Sequence, residues 1–195
     1  MSCNRAKIYN KLEIINLQKH YPIDKKRIKK IVRNVLKLEK KDAELNVVFT
    51  DNKRIKEINK TFLGHDYATD VITFVYHEPS LNNDKASYNL DRIASPCNKR
   101  GIKGGDQERT KKTAGKKGAV RGNMLTGEII ISVEMAKKLA QKHDCAVEGE
   151  IALYLVHGLL HLFGYNDKQR KEAKKMHQRE GELLSDLGFL VPVPH

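Results

Sequence analysis

Two histidines four residues apart, His157 and His161, open the stretch HGLLHLFGYND. Residues at that spacing stack on one face of an α-helix, about a turn apart. Both imidazoles can therefore aim a ring nitrogen at one ion. Gly164 suits a helix stop that lets the chain turn back. Asp167, six residues past His161, can then close a third coordination position. Two imidazoles, a carboxylate and an open position suit zinc or a similar divalent ion. The plainer alternative is a pair of hydrogen-bonded core histidines, but the glycine stop and the carboxylate after it favour a metal. His177, on the next helical stretch, is the alternative third ligand. His20, His65, His77, His143 and His195 read as surface or locally hydrogen-bonded residues.

In H-E-x-x-H hydrolases the glutamate after the first histidine is the general base. Gly158 stands there in this chain. That argues against a zinc peptidase. The base must come from elsewhere, or the metal must do most of the work by lowering the pKa of bound water to roughly 7.

The elements that would position these residues follow from periodicity. The histidines sit in a helical pattern over 146–163. A charged helix over 168–187 follows and stops at Gly188. Upstream, LEIINLQ (12–18) partly alternates and predicts a first strand. DKKRIKKIVRNVLKL (24–38) places Ile28, Ile31, Val32, Val35, Leu36 and Leu38 at helical spacing, with Asp24 as N-cap and lysines and arginines over the other face. ELNVVF (44–49) predicts a strand and DNKRIKEINKTF (51–62) a helix with Asp51 near its start. VITFVY (71–76) is a buried or edge strand, and GEIIISVEMA (127–136) a strand passing into a helix at 133–142. The tail FLVPVPH is expected to be irregular.

Residues 78–123 break this pattern. They hold eleven Lys/Arg against five Asp/Glu and almost no apolar periodicity, so +6 of the net charge of +13 comes from this segment. Such a composition cannot bury enough surface to offset chain entropy. It is expected to be a disordered basic insertion in one loop of a single domain spanning 1–195. A mean hydropathy of −0.59 and no apolar run near the roughly 18 residues of a membrane span argue against a membrane protein. No signal peptide is read at the N-terminus. Cys3, Cys97 and Cys145 lack metal spacing, and free thiols in a reducing cytoplasm are expected. The excess of positive charge favours an anionic partner, nucleic acid first.

Three ordered segments carry a resemblance. HGLLHLFGYND resembles the signature H-G-x-L-H-L-x-G-Y-D-H of the YbeY family of metal-dependent endoribonucleases, also called rRNA maturation factors. YATDVITF (67–74) resembles that family's P-T-D-V-L-S-F, and LTGEIIIS (125–132) its L-G-D-I-x-I-S. The resemblance covers the chain except 78–123. It implies an α+β domain with a small mixed sheet packed with helices and a zincin-like metal site on a central helix. It also implies one zinc ion on His157, His161 and Asp167, and single-strand-specific RNA cleavage. The implied partners are rRNA and the small ribosomal subunit, in small-subunit rRNA maturation and ribosome quality control.

The sequence departs from the family at two points. Asp167 stands where the family has histidine. In INKTFL, Phe62 and Leu63 stand where L-N-x-x-Y-R has tyrosine and an RNA-engaging arginine. Lys60, or a basic residue of the insertion, is the candidate substitute for that arginine. Asp70 keeps its place in T-D-V. It reads either as a structural acid that caps a turn or as a catalytic or supporting group. The alternative to an endoribonuclease is a non-catalytic ribosome assembly factor with a structural metal.

Overall fold

The computed structural model describes residues 11–77 and 124–189. The predicted insertion at 78–123 lies outside the described residues, as do Cys3, Cys97 and residues 190–195 of the tail. In chain order the elements are β1 (Leu12–Asn16), α1 (Lys25–Leu38), β2 (Ala43–Thr50), α2 (Asn52–Ile58), β3 (Val71–His77), β4 (Leu125–Ser132), α3 (Val133–Lys142), α4 (Val147–Leu162) and α5 (Arg170–Asp186).

The four strands form one sheet in the order β1-β2-β4-β3. β1 and β4 both run parallel to β2, and β3 runs antiparallel to β4. The sheet is therefore mixed, as the α+β expectation had it, and among the described residues VITFVY takes the edge position. β2 and β4 are interior strands covered on both faces, so VVF (47–49) and III (129–131) are continuous apolar runs rather than alternating ones. On one face Phe49, Ile129 and Ile131 join the core with α1, α4 and α5. On the other, Val48, Ile72 and Ile130 form a small cluster with Ile55 of α2.

Local chemistry fixes the element ends. The Asp24 side chain accepts from the N–H groups of Lys26 and Arg27 and caps α1, and that of Asp51 accepts from Arg54 N–H and caps α2. Ile28, Ile31, Val32, Val35 and Leu36 of α1 are buried. Leu38, grouped with them by spacing, is 42% exposed because it lies at the margin of the stripe in the last turn. The expected helix over 51–62 departs from α-geometry at Asn59. Asn59–Leu63 widens into a π-helical turn that Gly64 ends at φ 76°. The buried Asn59 amide donates to the Tyr67 carbonyl at 2.9 Å, which ties that turn to the approach to β3. Among the described residues no helix is long and apolar enough to cross a membrane.

Candidate metal centre

α4 is the most buried helix, packed between the sheet and α1, α3 and α5. Gly158 is what lets it lie so close to the sheet. A Cβ there would meet Ile129 Cγ2 at 2.8 Å and Thr73 Oγ1 at 3.1 Å. The absent H-E-x-x-H glutamate thus has a steric reason: the residue after His157 faces β3 and β4, not the site. Gly127 of β4 is equally tight one turn further on, with Leu162 Cδ2 at 2.5 Å and the Phe74 carbonyl at 2.8 Å from where its Cβ would stand.

His157 and His161 face the other way. Their rings meet edge-on, with centroids 4.6 Å apart, and their Nε2 atoms approach to 3.0 Å. Helix α4 ends where expected. Gly164 takes φ 91°, and Tyr165 N–H donates to the Leu160 carbonyl at 3.0 Å. That turn presents the Tyr165 carbonyl to His161 Nδ1 at 3.1 Å and brings Asp167 Oδ2 within 3.7 Å of His161 Nε2. One donor atom each from His157, His161 and Asp167 lies within 4.8 Å of the other two. The structure thus brings together the three residues singled out from sequence. His177 is not part of this group; it is 3.9 Å from Glu180 instead.

Sequence reading missed Glu180. It is buried, and its Oε1 lies 3.0 Å from His157 Nδ1. A trace of it was there. Met176, Glu180, Leu183 and Leu184 are the buried residues of α5, spaced as one helical stripe, so Glu180 is an acid where an apolar residue is expected.

The outer contacts decide the chemistry of the inner ones. A carbonyl and a carboxylate can only accept, so both Nδ1 atoms donate. In neutral rings both Nε2 atoms then carry bare lone pairs, pointed at each other at 3.0 Å. That arrangement requires a proton or a cation between them. Two nitrogens bound to one tetrahedral zinc at roughly 2.0–2.1 Å stand about 3.3 Å apart, close to what is seen. The donor set fits a divalent metal. Without one, a shared proton serves. Burial works to lower the His157 pKa, but the hydrogen bond and charge of Glu180, with the charges of Asp70 and Asp167, hold it above the usual imidazole value. Burial and the positive charge on His157 push His161 below it.

Asp70 has a structural task. Its Oδ1 accepts from Val71 N–H at 2.9 Å and Thr69 Oγ1 at 2.8 Å, and its carbonyl accepts from Ser132 N–H at 2.8 Å, which pins the start of β3 to the end of β4. Its charge also helps to raise the His157 pKa; the contacts of Asp70 are those of the turn-capping acid weighed from sequence. Lys60 lies on the π-turn and pairs with Asp66 at 3.0 Å, with Lys56 on the same carboxylate at 3.3 Å. Phe62 and Leu63 are each half exposed, and Phe62 stacks edge-on against Phe74 with centroids 5.5 Å apart.

The family model described as Endoribonuclease YbeY matches residues 13–188. The protein named Endoribonuclease YbeY from Oceanobacillus iheyensis is 33% identical over 147 residues, 75% of each chain. The one of that name from Alkaliphilus metalliredigens is 30% identical over 184 residues, 92% of this chain and 96% of the relative. A solved structure, TM1509 from Thermotoga maritima, is a looser likeness, with a TM-score of 0.48 and 19% identity over 94% of this chain and 99% of that one. The family-model match runs from β1 through α5, across the elements that hold the histidine pair, and on that extent the chain belongs to the YbeY endoribonuclease family.

Proposed function

We propose that this chain is a metal-dependent, single-strand-specific endoribonuclease of the cytoplasm, acting on rRNA of the small ribosomal subunit in its maturation and quality control. The observation that carries the reading is the pair of Nε2 atoms facing each other at 3.0 Å, each with its Nδ1 already committed to an acceptor. His157, His161 and Asp167 would hold the ion, for which zinc suits the donors. Bound there, a divalent cation supplies Lewis-acid stabilisation of the charge that develops on a phosphoryl group.

The chain's own groups prepare that chemistry. Glu180 fixes the tautomer and orientation of His157, and the Tyr165 carbonyl does the same for His161. The partial exposure of His157, His161 and Asp167 leaves the donor cluster open to a polymer lying across it. The RNA substrate is supported by the family, by the names of the relatives and by the net charge of +13.

The alternative, a non-catalytic assembly factor with a structural metal, draws on the π-turn. Leu63 stands in place of the family arginine, and the charge of Lys60 is taken up by Asp66. A His161→Ala variant separates the two. Loss of cleavage of single-stranded RNA with retained binding to small ribosomal subunits is expected for the nuclease. Cleavage at the wild-type rate would rule it out.

A further inference from the structure

Helix α1 carries a purely cationic outer face. Lys25, Lys26, Arg27, Lys29, Lys30, Arg33 and Lys37 are exposed, and the helix contains no acidic residue. Lys26, Lys30, Arg33 and Lys37 follow one another at spacings of four, three and four, so they form a single row along the face opposite the buried stripe. Over 14 residues the helix is about 21 Å long. Like charges at these spacings repel, and none of the four has an ion-pair partner among the described residues. The acids at either end are otherwise engaged. Asp24 caps the helix, and Glu39 binds Arg179 at 2.7 Å. α5 is also rich in lysine, but Glu172 and Glu182 are interleaved there and pair with its cations.

The row has a fixed relation to the histidines. Arg179 reaches the C-terminal end of α1 through Glu39, while the next residue, Glu180, holds His157. The C-terminal end of the row thus lies beside Arg179, next to the residue that braces the donor cluster, and its other end lies beside Arg27, whose guanidinium sits over the Phe189 ring just past α5. We propose that the outer face of α1 docks the phosphate backbone of a folded RNA segment, away from the strand presented to the histidines. This rests on the reading of RNA as substrate. An anionic membrane fits less well, because an interfacial helix needs its apolar face free, and that face of α1 is buried in the core.

The test is binding, so it stands apart from whether the protein cleaves. The full chain carrying Lys26→Gln, Lys30→Gln, Arg33→Gln and Lys37→Gln would be titrated with a fluorescein-labelled 2′-O-methyl stem-loop RNA across a salt series. A control removes the same charge elsewhere, through Lys137→Gln, Lys138→Gln, Lys142→Gln and Lys171→Gln. The α1 variant should bind at least about tenfold more weakly at 0.1 M salt, with a salt slope shallower by about 3, while the control keeps most of its affinity. Relief of like-charge repulsion should leave thermal unfolding unchanged or raised. Equal losses in both variants would reduce the effect to net charge and overturn the proposal, and so would unchanged RNA binding by the α1 variant. Selective loss of binding to vesicles of anionic lipid, with RNA binding intact, would replace RNA by a membrane. Failure of the wild type to cleave any RNA would sink the nuclease reading but not the docking face.

Discussion

Glu180→Gln removes a charge and keeps a shape. Glutamine is isosteric, and its Oε1 can still accept from His157 Nδ1, whose donor distance to Glu180 is 3.0 Å. What disappears is the charge that makes the hydrogen bond strong and Nε2 a better electron donor. A hydrogen bond to a charged group contributes about 1.5–3 kcal/mol against about 0.5–1.5 for a neutral one. The difference, about 1–1.5 kcal/mol, corresponds to roughly tenfold in affinity, the lower end of the 10–100-fold typical of supporting residues at metal sites. Zinc affinity measured by competition with a chromophoric chelator should therefore fall about tenfold, with one ion still bound at saturation. Glu180→Ala, which also leaves His157 Nδ1 without an acceptor, should fall further. Unchanged affinity in both variants would refute the claim that Glu180 sets up His157 as a ligand.

Gly158→Ala should destabilise the protein by about 1–2 kcal/mol in denaturant unfolding, since crowding against Ile129 and Thr73 outweighs the gain in helix propensity. Glu128 is buried in β4 and accepts from Tyr76 Oη at 2.9 Å, and burial raises its pKa. A carboxyl with a raised folded-state pKa contributes stability that is complete below its unfolded value near 4.5 and is lost as pH rises through the folded value. Glu128→Gln should therefore gain stability over wild type at pH 8 and not at pH 4, as unfolding midpoints at the two pH values would read. Asp167→His should retain the metal, whereas Asp167→Ala should bind it at least about tenfold more weakly, both measured by the same chelator competition. Leu63→Arg should leave the melting temperature unchanged, because Leu63 is half exposed, and should raise the RNA-cleavage rate.

What was legible in the sequence was local. The caps at Asp24 and Asp51, the stops at Gly164 and Gly188, and the spacing of His157 and His161 are governed by residues within a turn or two of each other. Asp167 could be placed because only one short turn separates it from His161. Glu180 could not, because it reaches His157 across two helices 23 residues apart in sequence, and a charged helix offers many acids. The role of Gly158 was hidden for a related reason. Its small size answers Ile129 and Thr73 on two strands, and no pattern within α4 records that approach. The end of α2 was misplaced because the π-turn is set by the Asn59–Tyr67 hydrogen bond, while its residues still look helical. The edge position of β3 was left open because VITFVY is apolar on both faces, and only the pairing with β4 shows which side has no strand partner among the described residues.

RNA cleavage is proposed to depend on a metal held by His157, His161 and Asp167. The direct measurement is a reconstitution titration. Metal-stripped protein receives zinc in fractional equivalents, and cleavage of a single-stranded RNA is followed at each point, beside His157→Ala treated in the same way. Cleavage should be absent at the start, rise linearly and break at one equivalent, and stay absent throughout in the variant. Full cleavage by stripped protein, or a wild-type titration curve from His157→Ala, would contradict the account.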